Sequence, residues 1–316
     1  MGVTRGRARA PAPAPFFATR HRGLREQLRR LARAADSANT VLLLGAAGTG
    51  KDRLARLLHE SSRRAGEPFV RVDLAAISDD LFESELFGHE RGAFTGAVSP
   101  KPGLLEGAGG GTLYLDRIDA LSLRAQGKLL RVVEERLVRR VGGTRQTALR
   151  ARLVASAGPD LPRRARSGDF REDLFYRLAV VTVTLPPLAE RREDLLPAAR
   201  AVAREAGGPS VLTPAARSLL LSHPWRGNFR ELENVVRRAA ALAFGAKSAA
   251  IDAKHLELAG PSEPAAVLAA AAHAGWTLRQ LTDAYIRLVL EDSGGNVAEA
   301  ARRLGIARKT LYERRG

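Results

Sequence analysis

Residues 40–52 read Thr-Val-Leu-Leu-Leu-Gly-Ala-Ala-Gly-Thr-Gly-Lys-Asp, an apolar run that breaks into glycines and ends on a lysine beside an acid. The run Thr40–Leu44 predicts a buried strand, and the pattern over Asp52–Arg64 predicts a helix directly after the glycines. A glycine-rich turn between strand and helix aims successive backbone N–H groups at one point, and the helix N-terminus adds its dipole toward an anion there. Gly45, Ala46, Ala47, Gly48, Thr49, Gly50, Lys51 and Asp52 are therefore the candidate cradle for a nucleotide's phosphates. The Lys51 ammonium would reach the β- and γ-phosphates as a point charge. A loose glycine turn alone could arise by chance; strand before, helix after and lysine in place make nucleotide binding the better reading.

Further short apolar runs stand at Phe69–Leu74, Thr112–Leu115, Arg152–Ala155 and Val180–Leu185, each separated from the next by a helix-sized segment. Such alternation predicts an α/β fold with a parallel sheet covered by helices on both faces. Pro186-Pro187 ends the pattern, since proline cannot continue a strand ladder and constrains the residue before it. Helical periodicity then takes over at Asp194–Glu205, Pro214–Ser222 and Asn228–Ala243, which predicts a small all-helical lid. The expected organisation is a tail over 1–15, an α/β nucleotide-binding subdomain over 16–187, a helical lid over 188–258, an Ala-, Gly- and Pro-rich linker over 259–275 and a separate helical domain over 276–316. No internal repeat is visible.

Residues 86–98 read Leu-Phe-Gly-His-Glu-Arg-Gly-Ala-Phe-Thr-Gly-Ala-Val. Gly92 and Gly96 permit a tight loop that pushes Phe94 and Thr95 into solvent. An exposed Phe adds nothing to a core, so such a tip serves a partner more readily than a fold, although an ordinary glycine-rich hairpin is the plain alternative. Beside the nucleotide loop, the hexapeptide Gly92-Ala93-Phe94-Thr95-Gly96-Ala97 resembles the GAFTGA loop of bacterial enhancer-binding proteins, the AAA+ activators that remodel RNA polymerase carrying sigma-54. The resemblance implies an AAA+ fold, ATP and Mg²⁺ as cofactors, and contact between residues 92–97 and sigma-54.

The strand Gly111-Thr-Leu-Tyr-Leu-Asp116 ends in a carboxylate, a Walker B arrangement in which Asp116 would hold Mg²⁺ through water. Where a general nucleotide loop has Ser or Thr after its lysine, this chain has Asp52; the sigma-54 activators normally carry Glu there, so the acid nearly keeps their pattern. Other positions depart from the family. Its Glu after the Walker B Asp, which polarises the attacking water, is Arg117 here, and a guanidinium offers no lone pair to a water proton. Asp119 lies two residues on and is the alternative to that Glu, but a displacement of about 6 Å normally ruins base geometry. The Asn that holds the family's Glu is Asp73, and the sensor pair Thr-Asn is Ala157-Gly158. Together these changes imply slow, altered or absent hydrolysis, and an Asp73–Arg117 ion pair is the expected substitute for the lost Asn–Glu contact.

Other family marks are in place. Phe170-Arg-Glu-Asp-Leu-Phe-Tyr-Arg177-Leu resembles the segment bearing arginine fingers, which implies that Arg171 and Arg177 reach a neighbouring subunit's γ-phosphate within a ring, the family's usual hexamer among the candidates. Read alone, two arginines on a polar helix are solvated charges. Trp225-Arg-Gly-Asn-Phe-Arg230 resembles the sensor II segment and implies Arg230 on the nucleotide, while the residues alone suggest a surface helix capped by Asn228. Leu185-Pro-Pro-Leu-Ala-Glu-Arg matches the lid entry, except that Ala189 replaces a usual Arg. At the end of the chain, Gly295-Asn296-Val-Ala-Glu299 opens a helix with a capping box. Ala300 and Ala301 can pack closely, Gly305 turns, and Leu304, Ile306 and Leu311 supply a core. This resembles a Fis-type helix-turn-helix and makes Arg308, Lys309, Thr310 and Arg314 the candidate DNA-binding residues, with an αα-hairpin bearing a basic face as the alternative.

The 316-residue chain carries 51 Lys+Arg against 34 Asp+Glu, a formal net charge of +17. That balance favours nucleic acid or nucleotide partners over acidic surfaces, although an Arg- and Ala-rich composition also follows from a GC-rich genome. The absence of Cys excludes a disulfide scaffold and any thiolate metal site and fits a reducing cytoplasm. No apolar stretch is long enough to cross a membrane, and residues 1–15 lack a signal peptide's continuous apolar core, leaving little room for a sensory domain. The leading expectation is a cytoplasmic sigma-54-dependent activator that binds enhancer DNA, forms a homo-oligomeric ring and remodels the polymerase holoenzyme under control of a separate regulatory protein or of expression. The alternatives are a hydrolysis-defective, ATP-binding DNA regulator of the same family and a repressor that has lost polymerase contact.

Overall fold

The computed structural model describes residues 19–33, 37–258, 275–293, 297–306 and 311. The chain divides into two compact units, Met1–Glu257 and Leu258–Gly316. Strands of the first unit are β1 (Val41–Leu44), β2 (Phe69–Asp73), β3 (Gly88–His89), β4 (Lys101–Pro102), β5 (Thr112–Asp116), β6 (Leu137–Arg139), β7 (Gln146–Ala148), β8 (Arg152–Ala157) and β9 (Val181–Thr184). Five of them form one parallel sheet in the order β2-β5-β8-β1-β9. β1, β5 and β8 are buried along their whole length, and therefore carry continuous apolar stretches (Val41–Leu44, Leu113–Leu115 and Leu153–Ala155) instead of alternating ones. Register sets Asp73 beside Asp116 and Leu44 beside Ala157, so the carboxyl ends of the strands share one edge, where α/β sheets take their ligands.

Helices α1 (Arg22–Arg33), α2 (Lys51–Glu60), α3 (Asp79–Phe87), α4 (Leu104–Gly107), α5 (Leu123–Glu135), α6 (Leu161–Ser167) and α7 (Glu172–Leu178) accompany the sheet. α2 ends at Glu60, short of the expected Arg64, because Ser62 donates from both its amide and its hydroxyl to the His59 carbonyl and closes the last turn. Leu42, Phe82, Leu113, Leu129, Leu153, Phe170 and Leu174 belong to one buried cluster between the sheet and its helices. Leu113 sits on β5 with no exposed surface, so Leu113→Ala should cost about 2–5 kcal/mol, read as a lowered urea midpoint with an unchanged slope.

β3 and β4 pair antiparallel, Gly88 with Pro102 and His89 with Lys101, and make the stem from which residues 90–100 project. Gly92 and Gly96 both take left-handed φ, +79° and +99°, as a tight tip requires. Within the tip Gly92 N donates to Ala97 O at 2.9 Å and Ala97 N to Phe94 O at 3.0 Å. Phe94 is 46 % exposed and meets the His89 ring edge-on, with centroids 4.9 Å apart. Val141, in the turn between β6 and β7, exchanges backbone hydrogen bonds with the stem at Gly88 and Glu90, and Arg140 pairs with Glu106 and Glu90.

The lid consists of α8 (Arg192–Glu205), α9 (Pro214–Ser222) and α10 (Asn228–Gly245). Thr213 caps α9 through Ala216 N ahead of Pro214, and Trp225 is buried with its indole N–H on Leu220 O at 2.7 Å. In the second unit, α11 (Leu278–Asp292) and α12 (Val297–Leu304) enclose Ile286, Val289, Ala300, Ala301 and Leu311, flanked by Leu304 and Ile306. Gly305 turns with φ +68°. The candidate DNA-binding positions Arg308, Lys309, Thr310 and Arg314, the expected cap Asn296, the tail over 1–15 and nearly all of the linker over 259–275 lie outside the described residues.

Candidate functional site

A cleft of about 730 Å³ opens at the carboxyl edge of the sheet, lined by Gly45, Lys51, Asp116, Gly158 and Arg230 among others. Most of the expected phosphate loop lines it: Gly45, Ala47, Gly48, Gly50, Lys51 and Asp52 do, whereas Ala46 and Thr49 do not. Thr49 is turned inward, almost wholly buried, with its hydroxyl on Ala46 O at 2.8 Å. Lys51 Nζ donates to the carbonyls of Gly45 (2.5 Å) and Ala46 (3.0 Å). Burial lowers the Lys51 pKa, Asp116 and Asp119 oppose that shift, and Arg230 adds to it.

The lid is fastened to this loop. Asn228 is buried at φ +55°; its side-chain amide donates to Ala47 O at 2.9 Å, and its side-chain oxygen accepts from Leu188 N at 2.8 Å. The alternative of a surface helix capped by Asn228 is thus excluded: Gly227 holds the cap position, and the amide is used to join lid, lid entry and phosphate loop. Phe229 N donates to Gly48 O at 3.0 Å, and a Cβ on Gly48 would lie 2.2 Å from Gly227 O, so only glycine admits the lid here. Arg191, fully buried, reaches Thr49 O at 2.8 Å and lies over the Phe229 ring at 4.4 Å, its pKa pushed down to about 10 by burial against the opposing pull of Asp194.

The Asp116 carboxylate is held by three donors. Tyr114 Oη (3.0 Å) and Ser156 Oγ (2.5 Å) donate to Oδ1, and Arg71 donates to Oδ2 at 2.7 Å. Burial raises the Asp116 pKa, but the hydrogen bonds from Ser156, Arg71 and Tyr114 outweigh it and hold the group below the usual carboxylate range. Arg71 also pairs with Asp52 at 3.2 Å, so one guanidinium spans the loop's acid and Asp116, the acid expected to hold Mg²⁺. Neither Arg71, Tyr114 nor Ser156 was singled out from sequence. The available signals were an arginine between the two valines of β2 and a serine within the buried run of β8.

Arg117 and Asp73 form the expected ion pair, with Arg117 Nε 3.0 Å and Nη2 2.5 Å from Asp73 Oδ1. Asp73 raises the Arg117 pKa accordingly. The expectation that Asp119 stands about 6 Å down an extended strand is not met. Arg117 takes a left-handed conformation (φ 60°, ψ 52°) and a 3₁₀ turn follows at Ile118–Ala120, so Asp119 folds back into the cleft. Arg171 and Arg177 do not line the cleft; Arg171 pairs with Asp173 at 2.7 Å and Arg177 with Glu134 at 3.0 Å.

Residues 17–184 match the family described as Sigma-54 interaction domain, residues 189–266 the AAA+ ATPase lid domain, and residues 277–316 Bacterial regulatory protein, Fis family. Among similar proteins, the transcriptional regulatory protein ZraR of Klebsiella oxytoca is 44 % identical over 91 % of this chain and 66 % of its own length. The Nif-specific regulatory protein of Azotobacter vinelandii is 41 % identical over 92 % of this chain and 55 % of its own. The chain thus spans less than two thirds of the length of these relatives. Crystal structures of NtrX from Brucella abortus, 32 % identical and covering 94 % of this chain and 67 % of NtrX, superpose with TM-scores of 0.68 for the ADP complex and 0.66 for the ATP complex. Among the described residues no helix is long and apolar enough to cross a membrane.

Proposed function

Since the chain belongs to the sigma-54-interacting AAA+ transcription regulators with a Fis-type DNA-binding segment, we propose that it binds enhancer DNA, assembles a ring, and uses ATP to remodel the sigma-54 RNA polymerase closed complex. The carrying observation is the short chain path from the cleft to the Gly92–Ala97 tip. Asp73 ends β2 at the cleft, its carboxylate accepts from Ala75 N at 3.2 Å, and the chain then runs through α3 into the β3–β4 stem. A change in what Arg117 and Asp73 hold is therefore delivered along one helix to the root of the loop bearing Phe94.

In this reading Gly45, Ala47, Gly48 and Gly50 line the phosphate cradle, Lys51 supplies positive charge, and Arg230 closes the cleft from the lid. Asp52 and Asp116 fit a magnesium ion: two neighbouring carboxylates in the phosphate cleft are the donors a hard cation takes, and the cation would replace Arg71 as the positive charge between them. Bound there, Mg²⁺ would neutralise phosphate charge. Arg171 and Arg177, absent from their own cleft, are assigned to a neighbouring subunit's nucleotide, and Arg308, Lys309, Thr310 and Arg314 to DNA.

Phe94→Ala tests the reading. Open-complex formation on a sigma-54 promoter should fall at least about tenfold, while binding of a fluorescent ATP analogue stays unchanged, since Phe94 touches no part of the cleft. Undiminished open-complex formation would reject the loop as the working contact. A second reading, a nucleotide-bound regulator that does not hydrolyse, rests on the Arg117–Asp73 pair at the family's water-polarising position. ATP turnover by the wild-type protein at high concentration with Mg²⁺ separates the two.

A further inference from the structure

The acid lost at position 117 is replaced from position 119: we propose that Asp119 is the carboxylate that orients the attacking water in this chain's nucleotide site. This rests on the hydrolytic reading above and names the residue that makes it chemically possible.

Several independent features place Asp119 for that role. The left-handed turn at Arg117 sends the Arg117 guanidinium toward Asp73 and brings Asp119 into the same cleft as Lys51, Asp116 and Arg230. Its carboxylate is fixed: Oδ2 accepts from Gly158 N at 3.0 Å, and Arg164 Nη1 donates to the Asp119 carbonyl at 2.9 Å and lies 4.0 Å from Oδ2. Among the described residues Oδ1 has no protein donor, which leaves its lone pairs for a water. The negative charge also acts on Lys51, so the carboxylate and the phosphate-binding ammonium share one field.

Gly158 is the complementary change. A Cβ at this position would stand 2.7 Å from Asp160 Oδ1 and 3.2 Å from Asp119 Oδ2. A side chain at position 158 would run into the Asp160 and Asp119 carboxylates, and the Gly158 amide anchors Asp119. The bare backbone at 158 thus goes with the acid at 119, and Arg117, tied to Asp73, is not required to accept a proton.

The chemistry balances without another reactant. A water hydrogen-bonded to Asp119 Oδ1 presents its lone pair to the γ-phosphorus. The new P–O bond forms as the bond to the bridging β,γ oxygen breaks, and that electron pair leaves on ADP. The water's proton passes to Asp119 and then to solvent, and the products are ADP and inorganic phosphate. Lys51 and Arg230 carry the charge that spreads over the phosphoryl oxygens.

The test uses the full chain with Mg²⁺, following ATP turnover and the affinity of a fluorescent ATP analogue. Asp119→Asn keeps shape and the Gly158 contact but cannot take the proton; kcat should fall about 10²-fold or more, with affinity changed less than about threefold. Asp119→Ala should recover turnover on addition of formate, a rescue that a merely structural carboxylate would not give. Wild-type turnover that survives in Asp119→Asn, or a loss in Asp119→Ala that formate does not relieve, overturns the assignment while leaving the hydrolytic reading intact. Absence of wild-type turnover overturns that reading, and the assignment with it. Equal turnover losses in Asp119→Asn and Gly158→Ala accompanied by weakened nucleotide binding would mark Asp119 as a scaffold residue and also overturn the assignment.

Discussion

Arg171→Ala is expected to lower ATP turnover by about 10³-fold or more while leaving nucleotide affinity of the separate subunit unchanged. Arg171 stands at the N-cap of α7, its amide donating to Gln126 Oε1 at 2.8 Å, on a segment fixed by the buried side chains Phe170, Leu174 and Leu178. The backbone is therefore held rigidly, whereas the guanidinium rests on Asp173 in solvent. Within one subunit that pairing explains nothing, since an exposed pair two residues apart contributes little to stability. Under the proposed ring, a neighbour's γ-phosphate would account for a fixed root with an exposed head. Mixing supplies the decisive measurement. A subunit lacking Lys51 still carries Arg171, and one lacking Arg171 still has a complete cleft, so the two inactive variants mixed equally should regain turnover. Failure to complement would remove the ring from the proposal.

How far the chain could be read in advance follows from which contacts are local. Val41–Leu44, Thr112–Asp116 and Arg152–Ala157 are buried on both faces, and the apolar stretches within them say so directly. The phosphate loop is equally local: glycine spacing, strand and helix all lie within a dozen residues. The Asp73–Arg117 pair was legible only through the family resemblance, as a replacement for its Asn–Glu contact, and the register that puts Asp73 beside Asp116 is what lets it form. Asp119 was misplaced for a physical reason. Residue spacing was converted to distance as if the strand went on, but Arg117 adopts φ 60° and the chain doubles back. The residues alone suggest a cap at Asn228, because a polar residue at a helix start ordinarily is one; here a left-handed backbone turns it inward to serve the carbonyl of Ala47 and the amide of Leu188. Arg71 spanning Asp52 and Asp116 is a junction of three segments, and no local pattern announces such a contact.

Lys51→Ala should abolish nucleotide binding at any concentration normally used, a loss of about 10²-fold or more in affinity, with the fold intact. The lysine is the cleft's central cation, set among the loop carbonyls of Gly45 and Ala46 and facing the acids Asp116 and Asp119. Burial disfavours its charged form, and those acids favour it; bound phosphates would act in the same sense as the acids. Removing the ammonium leaves two carbonyl oxygens and two carboxylates turned toward an incoming polyanion with one fewer cation to offset them. Arg230 and Arg117 cannot compensate, because Arg230 belongs to the lid and Arg117 is bound to Asp73. The stability of the sheet should be little affected, since the core cluster under the loop does not include Lys51. Calorimetric titration with ATP, beside a urea unfolding curve, measures both. Retained ATP affinity in Lys51→Ala would mean that the cleft binds its ligand in another orientation, and the assignments of Arg230, Asp52 and Asp119 would fall with it.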